Sequence, residues 1–378
     1  MASKLPIEIL EKIFRNFLLV ESTPYNNPSN ETNDYSTGDL YSCLLVNWQW
    51  CEAVIPLLWS DPFRQSTSIT KQHDKILDTY FQFLNYHERK LIVQNNHYHR
   101  NHYHNKTSNT FFKKFLNGGI PKMNMYTPNT MYDYPFFAKH IDVGAMICVA
   151  KAWCARNRLP YRESAIVTVI LKLMRRNGAT IERLSGPFRF TTRPEFLALF
   201  QQNPELEMWI SSVKSCHMVW NDRNMDRDAQ KQYTIATLSN HLECLDLDMK
   251  GMQNFTQKRK LATIGATMRQ FHSLNQFIGR SCGGDLNAIV RNLKLSVSTL
   301  LDIEFVDTNF KDSAPLNSLL MFDNLEVLTF RNCDFLTLRV MQPLMTVPYC
   351  HLKQLRQVNF IYCHDVSEHV RDWAEEVN

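Results

Sequence analysis

The feature that most constrains this chain is an apolar spacing that recurs through its second half. An apolar residue is followed by another three positions later at Ile181–Leu184, Leu206–Trp209, Leu242–Leu245, Leu274–Phe277, Leu300–Ile303, Leu325–Leu328 and Leu355–Val358. Five positions after the start, Leu247, Phe305, Phe330 and Phe360 extend the pattern, whereas Gly186, Ser211 and Gly279 interrupt it. Eight positions after the start come Cys282, Cys333 and Cys363. The intervals are uneven, short from Leu300 to Leu325 and long from Leu206 to Leu242, so some copies carry insertions. Self-similarity with a period of roughly 20–50 residues is the mark of a stacked repeat array.

In such an array each copy gives a strand whose alternating apolar residues enter a shared core, and a helix closes the coil on the other side. Leu261, Ile264, Met268 and Phe271 share one helical face, as do Leu286, Ile289, Val290 and Leu293. Val366, Val370 and Trp373 form an amphipathic cap over the last copy. The strand residues between the core positions then line the open face: Asp246, Asp248, Ile278, Arg280, Glu304, Val306, Thr329, Arg331, Asn359 and Ile361. Mixed charge with isolated aliphatics suits a protein-binding surface, and it equally suits a plain solvated sheet face. Asp246, Asp248, Arg280, Glu304 and Arg331 are the candidate target-binding residues. The cysteines behave as small buried hydrophobes with a weak donor.

The N-terminal stretch has its own logic. Pro6 suits the first position of a helix, and Leu10, Ile13, Phe14, Phe17 and Leu18 recur at three- and four-residue spacing. Asp39 is a candidate N-cap, Asn47 can cap the following helix, and Pro56 is expected to stop it. Three helices of this size cannot enclose Leu5, Ile9, Leu45, Val46, Trp48, Trp50, Leu58 and Trp59 together. Either several of them form an exposed patch that meets a partner, or they pack on the rest of the chain.

The strings LPIEILEKIF, LYSCLLVNWQW and PLLWSDPF, in that order over residues 5–63, resemble the F-box family. That resemblance implies a three-helix unit that binds the Skp adaptor of cullin–RING (SCF) ubiquitin ligases. Position by position it implies Leu5, Pro6, Ile9, Leu45, Val46, Trp50, Leu58 and Trp59 as adaptor contacts, with Leu10, Ile13 and Cys43 as internal core. It departs from the family in a polar insertion over 21–38, which reads as a loop. The motif lies within residues 1–63, so this fragment is expected to suffice for adaptor binding. The second half, clearest in LEVLTFRNCDF (325–335), resembles degenerate cysteine-containing leucine-rich repeats. The implied fold is mixed α/β: a small F-box, then a solenoid with a parallel sheet on its concave face and helices on its convex face.

The expected organisation is an F-box at 1–63, a helical linker at 64–134 and, at 135–378, leading helices followed by the repeats. Ile76, Leu77, Tyr80, Phe81 and Leu84 mark a linker helix. Val143–Arg156 and Glu163–Arg176 read as two more, the second with Gly178 just beyond its end. His97, His99, His102 and His104 sit in an Asn- and Tyr-rich tract around 95–109, whose bias reads as a loop and not a metal site.

Composition excludes several classes. The net charge of +5, from 42 basic and 37 acidic residues, is too scattered to argue for nucleic acid. The ten cysteines form no C-x-x-C pair, so neither a zinc ribbon nor a disulfide scaffold is indicated. Charged residues interrupt the N-terminal apolar run, and the stretch Ala165–Met174 is too short to span a bilayer. Cytosol or nucleus is the expected compartment, without membrane partners. No P-loop, G-x-G-x-x-G, H-E-x-x-H or G-x-S-x-G is present, so the chain is expected to be a non-catalytic subunit with no cofactor. Its implied partners are the Skp adaptor, through it a cullin–RING ligase, and a target held by the repeats. A scaffold that binds the Skp protein without serving a ligase would carry the same signature.

Overall fold

The computed structural model describes residues 5–19, 40–63, 75–94, 132–157, 159, 162–187, 203–221, 242–251, 271–283, 286–311, 313–346 and 352–378. The chain is mixed α/β and divides into two compact units, Met1–Ile181 and Glu182–Asn378. The 21–38 insertion, Asp39, the histidine tract, and Leu261, Ile264 and Met268 lie outside the described residues.

The first unit opens with α1 (Ile7–Leu19), whose first amides bond the Pro6 carbonyl. Residues 40–43 are helical, and α2 (Trp48–Leu58) follows. Asn47 caps α2 as its sequence position suggests, Oδ1 accepting from the Trp50 amide at 3.0 Å. Pro56 does not stop α2. It sits inside the helix near its end, where one ladder bond is lost, and the Trp59 amide resumes the ladder by donating to Ile55 at 3.0 Å. Leu10, Phe14, Leu40, Ala53 and Val54 form the core, ringed by Ile7, Cys43, Leu44, Trp50, Leu57 and Leu58. Ile13 does not join them: it is exposed. Leu10 and Phe14 already fill the face of α1 that meets α2, and this leaves Ile9 and Ile13, also four residues apart, on another face.

Two helices, α3 (Lys75–Gln82) and α4 (Tyr86–Gln94), come next, with Leu77, Tyr80, Phe81 and Leu84 buried. A reciprocal capping box opens α4: the Asn85 amide donates to Glu88 at 2.8 Å, and the Glu88 amide to Asn85 at 2.9 Å. A 3-10 turn (Tyr134–Phe137) and the short β1 (His140–Asp142) lead into α5 (Val143–Arg156) and α6 (Glu163–Arg176). Both helices have the bounds that their periodicity predicts. Gly178 takes φ +80 just past α6, where a Cβ would be strained. Arg176 is an internal tie, donating to the Phe83 carbonyl at 2.8 Å.

The second unit is built on seven parallel strands in chain order: β2 (Arg183–Pro187), β3 (Ser215–Asn221), β4 (Cys244–Gly251), β5 (Gln276–Arg280), β6 (Asp302–Val306), β7 (Val327–Arg331) and β8 (Gln357–Ile361). One register row reads Leu184, Cys216, Leu245, Phe277, Ile303, Leu328, Val358, and every member is buried. All but Cys216 are the second apolar positions read from the sequence. The copy begun at Leu206 is overturned, because Leu206 and Trp209 lie on α7 (Pro204–Ser211). A three-residue apolar spacing fits a helical face as well as a strand repeat, so it could not separate the two. The true copy is Val213, Cys216 and Met218, all buried. Ile181 and Leu184 keep their place at β2.

Two rows further along, Phe305, Phe330 and Phe360 pack ring to ring across strands, the tilted Phe305–Phe330 pair with centroids 5.7 Å apart and the stacked Phe330–Phe360 pair 5.5 Å. Gly279 occupies the same row because a Cβ there would lie 2.8 Å from Cys282 Sγ and 3.2 Å from the Phe277 ring. After β5, β6, β7 and β8, the residues Ser281, Asp307, Asn332 and Tyr362 each adopt positive φ. The first three of these amides donate to the next strand at 2.8–3.0 Å. The cysteine position satisfies backbone nearby: Cys333 Sγ donates to the Phe305 carbonyl at 3.4 Å and Cys363 Sγ to that of Phe330 at 3.3 Å. Short helices follow several strands: α8 (Leu286–Arg291), α9 (Leu338–Thr346) and α10 (Glu368–Val377). Leu286, Ile289, Val290 and Leu293 are buried, as are Val370 and Trp373 of α10. The Asn378 amide bonds both the N–H and the carbonyl of Val358 on β8, at 2.7 and 3.0 Å.

Candidate protein-docking surfaces

In the first unit the residues with the adaptor-contact pattern separate into two groups. Leu5, Pro6, Ile9, Leu45 and Val46 are exposed, Leu45 at 88%. Gln49 Nε2 donates to the Leu5 carbonyl, which ties the start of α1 to the start of α2. Leu45 and Val46 immediately precede the Asn47 cap, so the tie and the cap hold this apolar set at one end of the helix pair. Trp50, Leu58 and Trp59 pack inward. Trp50 meets Phe14 edge-on at 5.1 Å, and Leu58 lies against the core. Trp59 stacks on Tyr134 at 4.3 Å and meets Tyr80 at 5.6 Å. Phe63 stacks on Tyr80 at 5.9 Å, so residues beyond 63 complete the packing of this segment.

Trp48, one of the apolar residues in excess of what the core can hold, is exposed; so are Tyr41, which the sequence did not single out, and Ile13, which it assigned to the core. The Leu5–Ile9–Ile13 spacing was the available signal for a second apolar face. Trp48 stacks on Tyr132 at 5.9 Å and donates to Glu52 at 2.7 Å.

In the second unit, the sheet face opposite the core carries Asp246, Asp248, Arg280, Glu304 and Arg331 in the expected rows. Asp246 and Glu304 share one row, and Asp248, Arg280 and Arg331 the next. Asp246 departs from the expectation of an open face. The Asp246 side chain is only 3% exposed. It accepts from Arg280 Nε at 2.8 Å and Nη2 at 3.1 Å and from Arg183 Nη2 at 3.4 Å, and His217 Nε2 lies 4.0 Å away. Burial works against the Arg280 charge, but the Asp246 hydrogen bonds and charge offset it and its pKa rises. Glu304 accepts from Arg331 Nε at 2.7 Å. Asp248 Oδ1 accepts from the Lys250 amide at 2.9 Å. Val306, expected on the open face, is buried. Arg183 and His217 were not foreseen. Arg183 sits one residue before the apolar row, and His217 belongs to the copy that the Leu206 assignment displaced.

Burial pushes the His217 pKa down, only partly opposed by the Asp246 charge, while Arg183 and Arg280 push it down further. A base whose folded pKa is lowered binds fewer protons folded than unfolded below its ordinary pKa. Stability is therefore full above about 6.5 and falls as pH drops through that value. His217→Gln is expected to flatten the pH dependence of the melting temperature between neutral pH and pH 5, and an unchanged slope would count against a neutral buried imidazole.

The described cysteines are free thiols. Burial pushes the Cys216 thiol up to about 12. Among the described residues, no group of three or more His, Cys, Asp or Glu could hold a metal ion, and no helix is long and apolar enough to cross a membrane. No protein-family model matches this chain, and no curated protein matches it.

Proposed function

We propose that this chain is a substrate-receptor subunit of an SCF-type ubiquitin ligase. In this reading residues 5–63 are an F-box that docks on the Skp adaptor, and the parallel sheet is the concave face of a leucine-rich-repeat solenoid that holds the target. The observation that carries the reading is the exposed apolar set Leu5, Ile9, Leu45 and Val46. These side chains stand outside a helical core that Leu10, Phe14, Leu40, Ala53 and Val54 already fill. Exposed apolar side chains gathered in this way mark a partner site. The repeating register in the second unit adds support, since stacked strands of this kind give an extended binding surface. The chain's part in ubiquitin transfer is proximity: target lysines held beside a charged conjugating enzyme react as if within one molecule.

The test is capture of the adaptor and cullin by the full chain. Ile9→Asp together with Leu45→Asp is expected to cost about 2 kcal/mol or more of adaptor binding, with the melting temperature unchanged because both side chains are exposed. Undiminished capture by this variant would end the reading. Adaptor capture without cullin would instead select a scaffold that binds the Skp protein outside a ligase.

A further inference from the structure

The charged face of the second unit is layered, with its anions below and its cations above. Asp246 and Glu304 are 3% and 15% exposed, while Arg183, Arg280 and Arg331, which pair with them, are 41%, 33% and 30% exposed. A molecule approaching this face therefore meets guanidinium edges, although the formal charges nearly cancel. The buried carboxylates hold the arginines in place, so their heads are oriented in advance and lose little freedom on binding.

Each arginine spends only part of its donor set on these pairs. Arg331 uses Nε on Glu304, Arg280 uses Nε and Nη2 on Asp246, and Arg183 uses Nη2. Nη1 of Arg280 and both Nη groups of Arg331 make no hydrogen bond to the described residues. These two arginines share one row, separated only by buried Val306 on β6. Neighbouring strands lie about 4.8 Å apart, so the two arginines stand roughly two strands apart, on either side of Val306.

We infer that this arginine pair recognises a carboxylate on an extended acidic segment of the target, held by Nη1 of Arg280 and the Nη groups of Arg331. This deepens the receptor reading above and rests on it for the identity of the occupant as a target protein. A guanidinium matches a carboxylate through directional, charge-assisted bonds. A single negative charge fits better than a phosphate dianion, because Asp246 and Glu304 lie more deeply buried beside these arginines and Asp248 shares their row, and these carboxylates would repel the second charge.

The test uses the full chain and a short fluorescein-labelled peptide of alternating Glu and Val, read by fluorescence anisotropy at low salt. Two further peptides carry Gln or phosphoserine in place of Glu. The Glu peptide is expected to bind, the Gln peptide to bind at least about tenfold more weakly, and raised salt to weaken the Glu peptide. Arg280→Gln with Arg331→Gln should weaken the Glu peptide about tenfold or more. Arg280→Gln leaves Asp246 short of a partner and endangers folding, so the decisive variant is Arg331→Gln with Glu304→Gln, which removes a pair and leaves no unmatched charge. That variant should keep the wild-type melting temperature and bind the Glu peptide several-fold more weakly. Equal binding of the Glu and Gln peptides, or unchanged binding by the paired variant, overturns the carboxylate site. Tighter binding of the phosphoserine peptide overturns the choice of a monoanion. If adaptor and target are captured while the Glu peptide neither binds nor competes, this inference fails and the receptor reading stands. If the Glu peptide binds and no adaptor is captured, the receptor reading fails and the anion site remains.

Discussion

Asp246→Lys is expected to unfold the second unit locally, at a cost of about 3 kcal/mol or more, because it puts a cation where a buried anion ties two others. In the wild type the carboxylate takes both Nε and Nη2 of Arg280 and reaches Arg183, with His217 alongside. A lysine there has no acceptor, and it faces two guanidiniums at short range. Asp246→Asn keeps the size and one acceptor, and is expected to cost less, about 1.5–3 kcal/mol. Asp248→Lys is the control. Asp248 is half-buried, makes no ion pair within 4.0 Å among the described residues, and bonds the Lys250 amide, so its effect should stay near 0.5 kcal/mol. Hydrogen exchange of the β3, β4 and β5 amides reads the loss where it occurs. Wild-type protection in Asp246→Lys would mean that the carboxylate is not what holds these strands.

Trp59→Ala is expected to fail as a folding variant, not as a binding one. Its ring stacks on Tyr134 at 4.3 Å and meets the tilted ring of Tyr80 at 5.6 Å, and Tyr80 is fully buried with its pKa raised by burial and the nearby Asp61 charge. Removing the indole opens a cavity beside Tyr80 and Tyr134. Aromatic truncations in a core cost about 3–5 kcal/mol, and because Trp59 is half-buried about 2–3 kcal/mol is expected in the first unit. Adaptor capture should then fall with melting temperature and return on cooling. The Ile9→Asp, Leu45→Asp variant should lose capture at every temperature while melting like wild type. If Trp59→Ala melts normally yet loses the adaptor, Trp59 belongs to the interface and its ring contacts do not hold it inside. A fragment of residues 1–63 lacks both tyrosines, so it should be less stable than the same segment within the full chain.

Local chemistry made much of this chain legible in advance. The helices at 143–156 and 163–176, the Asn47 cap, and the strands at β4 to β8 all follow from periodicities and caps contained within a few residues. The row from Leu245 to Val358 follows because a period of two fixes which side chains turn inward. The sequence also placed Asp246, Asp248, Arg280, Glu304 and Arg331 on one sheet face for the same reason.

Tertiary structure decided what those patterns leave degenerate. Leu206 and Trp209 satisfy a three-residue spacing that serves a helix or a strand repeat, and only packing chose α7 and moved the copy to Val213. Apolar character in Ile9, Ile13, Leu45, Trp50 and Trp59 says that each gains by leaving water, but not which of them finds room. A small core filled by Leu10 and Phe14 left Ile13 outside, and Tyr80 and Tyr134, distant in sequence, drew Trp59 in. Asp246 is the sharpest case. Its strand position could be read from neighbours, but its burial depends on Arg183, His217 and Arg280 arriving from three other strands, and no local pattern encodes a meeting of that range.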